Sequence, residues 1–86
     1  MKNENMQINV DAVKGIDKVN FYAHAIYNDE LSTYVMDVRG FYDCKTGEIK
    51  EEIPKVSMSL NNNPEMIEHF RRNVSEAIKI DMEKYK

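Results

Sequence analysis

Apolar and polar residues alternate with period two through the first half of the chain, and a period near 3.6 takes over in the last quarter. From Gln7, Ile8, Val10 and Ala12 share one face, opposite Asn9, Asp11 and Val13, which predicts a half-buried strand ended by Gly15. Residues 16–18 supply a short turn. Val19 to Asn28 gives the clearest strand. Val19, Phe21, Ala23, Ala25 and Tyr27 face a core, and Asn20, Tyr22, His24, Ile26 and Asn28 face mostly water. Asn28-Asp29-Glu30 carries turn residues. A third strand runs from about Ser32 to Tyr42, with Tyr34, Met36 and Val38 inward and Thr33, Asp37 and Arg39 outward, and with a bend or bulge allowed at Gly40. Asp43-Cys44-Lys45-Thr46-Gly47 reads as a hairpin loop whose glycine suits positive φ.

Between Glu48 and Leu60 the alternation changes phase. Ile49 and Ile53 occupy odd positions, Val56, Met58 and Leu60 even ones, and Pro54 lies at the switch. Proline cannot donate to a ladder, so the pattern fits a bulged edge strand or two short strands, about 48–53 and 55–60. Asn61-Asn62-Asn63-Pro64 is a helix start, with an asparagine cap and proline in the first turn. The helix runs to about Lys84 with Ile67, Phe70, Val74, Ile78 and Tyr85 along one stripe and Ala77 beside it. These elements predict an α+β domain: an antiparallel meander of four or five strands with one C-terminal helix packed on one face. Residues 1–5 read as a disordered tail and residues 6–86 as a single domain.

A chain of 86 residues has a thin core and little room for a deep, water-excluding cleft. The formal charge of −3 argues against a purely electrostatic polyanion binder but allows a local basic patch. No apolar run reaches membrane-spanning length, and the polar start lacks a basic-then-apolar leader. The one cysteine has no internal partner, so a reducing compartment, the cytoplasm, is expected.

Candidate chemistry is sparse. His24 and His69 lack the paired cysteines or closely spaced carboxylates of a metal site, and surface placement accounts for them; no metal and no cofactor are expected. Cys44 beside Lys45 has a cation to lower its pKa, yet no Cys/His motif accompanies it, and a spectator thiol is the simpler account. Asp37 and Arg39 form either a surface ion pair or a ligand contact. Arg71 and Arg72 are flanked by Glu68 and Glu76 in the lattice of a solvated helix, which dilutes any phosphate-binding role. Tyr22, His24 and Ile26, with Val35 beside them, form an outward strip that serves either as a stacking platform for bases or as a protein interface. Dispersed glycines exclude a phosphate-cradling loop, and no catalytic constellation stands out, so an enzyme is not expected.

In this order the chain resembles the stage V sporulation protein G, or septation regulator, family. Ile8-Asn9-Val10-Asp11-Ala12-Val13 is similar to the family's opening I-x-V-x-x-V strand. Ala23-His24-Ala25 leading to Tyr34-Val35-Met36-Asp37-Val38-Arg39 resembles its A-x-A hairpin and D-I-R step, and Thr46-Gly47-Glu48 through Ile53 its T-x-D-G-E-F-x-D-I segment. Ser59-Leu60-Asn61 before the helix is similar to its P-I-N. The family's basic M-P-S-R-K loop has no counterpart here. The resemblance implies a small, non-enzymatic, dimeric regulator of the bacterial cytoplasm. As a nucleic-acid binder, DNA or RNA, the chain would set Arg39, Lys45, Arg71 and Arg72 on phosphates and Tyr22 or His24 near bases. Acidity, small size and the strip also suit a protein-binding module or inhibitor encoded by a phage or mobile element. In that case Tyr22, His24, Ile26 and Val35 form the interface to a protein target or a second copy.

Overall fold

The computed structural model describes residues 6–86, so the tail expected at 1–5 lies outside the described residues. Strands β1 (Met6–Lys14), β2 (Lys18–Asn28) and β3 (Thr33–Asp43) form an antiparallel meander. Two short strands, β4 (Ile49–Glu51) and β5 (Lys55–Val56), both pair with β3, which completes a sheet of five strands. A single helical turn, α1 (Met58–Asn61), leads to the long helix α2 (Pro64–Met82), and a 3₁₀ turn (Glu83–Tyr85) closes the chain.

The alternation in β2 and β3 translates directly into two faces. Val19, Phe21, Ala23 and Ala25 are buried, as are Met36, Val38 and Tyr42 opposite them. α2 covers this inner face through Phe70, Val74, Ile78 and Met82, spaced one helical turn apart. Each such side chain contributes about 1.5–3 kcal/mol when fully buried. Met82 takes the last place on the stripe, where the sequence pattern put Tyr85; Tyr85 is half-buried at the edge of the core. Pro64 opens α2, and the Asn63 side chain accepts from the Met66 N–H at 3.2 Å, so the asparagine–proline start caps the helix as expected.

The phase change between Ile49 and Val56 is a one-residue slip in pairing. Tyr42 faces Ile49 and Gly40 faces Glu51, whereas Met36 faces Val56. Unslipped, Met36 would meet Lys55 and a charge would point at the core. The extra residue falls in 52–54, at Pro54, and Ile53 is 91% exposed there rather than inward. Past β5 the expected strand to residue 60 is replaced by α1. Ser57 exchanges bonds with Val35: its N–H donates to the Val35 carbonyl at 3.0 Å, and its Oγ accepts from the Val35 N–H at 3.1 Å. Ser59 Oγ then donates to the Thr33 carbonyl at 2.6 Å. Hydroxyls thus satisfy the β3 backbone while the chain turns away.

Two glycines are set by geometry. A Cβ on Gly40 would lie 2.0 Å from the Lys50 carbonyl oxygen and 2.8 Å from Phe21 Cζ, so only glycine allows β4 to pair there. Gly47 has φ of +80° in the β3–β4 turn. The Asp43 carboxylate caps that turn by accepting from Lys45 N–H at 2.9 Å.

Candidate functional site: the outer face of the sheet

With α2 on the inner face, the opposite face of the sheet carries the even positions of β2 and the odd positions of β1 and β3. In register, Asp11, Tyr22 and Arg39 form one cross-strand row, and Asn9, His24, Asp37 and Lys55 the next. Ile26 and Val35 oppose each other toward one end, while Asn20, Phe41 and Lys50 lie in line toward the other.

The centre of this face is a polar network. One Asp37 oxygen, Oδ1, accepts from the Tyr22 hydroxyl at 3.1 Å and from His24 Nδ1 at 2.5 Å. A carboxylate only accepts, so Nδ1 is the nitrogen of His24 that carries a proton. The His24 and Asp37 side chains are 38% and 29% exposed, so the network is reachable from solvent yet sheltered by its neighbours. Hydrogen bonding to Asp37 raises the Tyr22 pKa above its ordinary value of 10.0, helped by desolvation and the Asp37 charge and opposed by Arg39. The Arg39 guanidinium lies over the Tyr22 ring, 5.0 Å from its centroid, and Lys18 Nζ lies 4.5 Å from the centroid of Phe41. Two outward aromatic rings on the two central strands therefore each have a cation beside them. The sequence pattern does not single out Phe41 because a bend or bulge at Gly40 leaves its facing open; carrying the odd-position alternation through Gly40 places it on this face.

Tyr22, His24, Ile26 and Val35 thus share one surface, and all four are half-buried. The four cations assigned to phosphates do not come together. Arg39 is on the outer face. Arg71 and Arg72 lie on the solvent side of α2, across the molecule, among Glu68, Ser75, Glu76 and Lys79. Lys45 is in the β3–β4 turn, 3.6 Å from Asp17. Cys44, in the same turn, is half-buried against the core, and its N–H donates to the Asp17 carbonyl at 3.0 Å. His69 is half-buried on α2, where its carbonyl accepts from Asn73 Nδ2 at 2.7 Å. Among the described residues, no group of three or more His, Cys, Asp or Glu side chains is placed to hold a metal ion. None of the described helices is long and apolar enough to cross a membrane.

Fold and face together define a two-layer α+β protein with an open, mixed-charge sheet surface. No known protein family, curated protein or solved structure matches the chain.

Proposed function

We propose that this is a non-catalytic, cytoplasmic regulatory protein that takes single-stranded nucleic acid across the outer face of its sheet. The observation that carries the reading is the pair of outward rings, Tyr22 and Phe41, on adjacent central strands, each with a cation against it. Every base has a flat face, and aromatic side chains and guanidinium planes are the surfaces on which unpaired bases stack. Asp37 holds the Tyr22 hydroxyl, so the ring is oriented before a base arrives. Lys18, Arg39, Lys50 and Lys55 stand at the flanks of the rings by register. Asp11, Asp37 and Glu52 share the face, so stacking rather than net charge supplies most of the affinity.

The test is fluorescence anisotropy of a labelled ten-nucleotide oligo(dT) against the full chain and its Tyr22→Ala, Phe41→Ala and Arg71→Ala/Arg72→Ala variants. Loss of one stacked base weakens binding by roughly tenfold in each aromatic variant. The double-arginine variant stays within about threefold, because those side chains lie on the far side of the molecule. Absence of binding, or a dominant effect of the arginine pair, overturns the reading. The half-buried Ile26–Val35 pair favours a second reading, a protein partner on the same face. In that case a protein target, or a second copy seen by light scattering, is lost on Ile26→Asp while oligonucleotides are ignored.

A further inference from the structure

An open depression of about 450 Å³ lies on the outer face beside Tyr22, lined by Asp11, Val13, Asn20, Tyr22, Arg39 and Glu52, with Phe21 and Gly40 beneath. That volume is in the range of small-ligand sites. The depression draws on all three long strands and on the segment after β4. Asp11 pairs with Tyr22 and Tyr22 with Arg39, and the Glu52 N–H donates to the Arg39 carbonyl at 2.8 Å. Across the sheet the row therefore reads carboxylate, phenol, guanidinium, carboxylate, with the Asn20 amide in the neighbouring row.

These groups make complementary demands. The two carboxylates accept hydrogen bonds and cannot donate, whereas the guanidinium donates and cannot accept. A phosphate meets two like charges here, and a simple cation meets Arg39. The ligand that suits the set is flat enough to lie on the Tyr22 ring once the Arg39 guanidinium swings from over that ring to the ligand's edge, and it offers donors on one edge and acceptors on another. Among the nucleobases guanine has that arrangement. Its N1–H and N2 amine donate to carboxylates, and its O6 and N7 accept an arginine fork, the commonest specific arginine–base pairing. Adenine has no acceptor in place of O6, and a pyrimidine has no N7. Resting on the outer-face reading above, we infer that this depression is a guanine subsite, and that the protein selects single strands carrying a guanine there.

The experiment compares three ten-nucleotide oligo(dT) strands with a single central guanine, adenine or inosine; a lone purine also avoids multi-stranded guanine structures. The full chain binds the guanine strand roughly tenfold tighter than the adenine strand. Inosine, which lacks the N2 amine, falls between them. Asp11→Asn and Glu52→Gln each reduce the guanine-to-adenine ratio to within about twofold. Glu83→Gln, which removes the same charge from the 3₁₀ turn that follows α2 in the other layer, keeps the ratio. Far-UV circular dichroism confirms that the variants are folded, as both acids are exposed. Equal affinity for the guanine and adenine strands overturns the subsite while leaving the outer-face reading intact. A guanine preference that survives in both acid variants also overturns it. Failure to bind any strand removes both proposals.

Discussion

At the scale of single residues, Asp37 organises the face. One carboxylate oxygen receives both Tyr22 and His24, so the aromatic ring and the imidazole are held by the same group. The consequence appears in the titration of Tyr22. Its pKa is raised because Asp37 holds the phenol in its protonated form. Folding therefore favours the neutral phenol, and the stability it contributes is present below the ordinary pKa near 10. That stability is lost as pH rises through the raised folded value. Replacing Asp37 by Asn removes the charge and weakens the acceptor. Ultraviolet titration near 295 nm is expected to show the Tyr22 transition moving down toward its ordinary position in Asp37→Asn. An unchanged transition contradicts the assigned hydrogen bond. The Asp37-x-Arg39 spacing was visible in the sequence, but its meaning was not. The partners, Tyr22 and His24, are 15 and 13 residues away and meet it only through the β2–β3 register.

At the scale of elements, strands that pair over their whole length were legible, and the strand that pairs in pieces was not. In β2 and β3 every second residue is apolar, so the period alone separates core from solvent. Between Ile49 and Leu60 the same rule gives two conflicting phases. The structure resolves them by the slip at residues 52–54 and by α1. Residues Val56, Met58 and Leu60 look like a strand by spacing, but Met58 is exposed and Leu60 buried inside a helical turn. Serine hydroxyls taking over backbone bonds carry no periodic signal. This account separates two substitutions. Gly40→Ala drives a methyl group into the Lys50 carbonyl and the Phe21 ring, and costs about 1–3 kcal/mol. Ile53→Ser, at an exposed site, changes stability by no more than about 0.5 kcal/mol. Urea denaturation with unchanged slope measures both. A costly Ile53→Ser would place that side chain in the core, on the same side as Ile49, and would contradict this account.

At the scale of the whole molecule, two layers give two unlike surfaces. The helix presents a lattice of Glu65, Glu68, Arg71, Arg72, Glu76 and Lys79 to solvent, and the sheet presents rings, amides and charges of both signs. The cations picked out in the sequence were scattered over both surfaces and a turn because a linear reading assigns each residue to an element without showing which elements share a surface. Because Lys18, Arg39, Lys50 and Lys55 are the strand cations facing outward, no more than about four phosphates are neutralised. For a single strand the slope of log affinity against log salt is then no steeper than about −3. The most direct test of the outer-face claim is a ¹H–¹⁵N spectrum recorded as the ten-nucleotide oligo(dT) is added. Amide shifts concentrated in residues 18–28 and 33–43, with Arg71 and Arg72 unmoved, are the predicted result. Shifts confined to residues 64–82, or no shifts at saturating oligonucleotide, would contradict it.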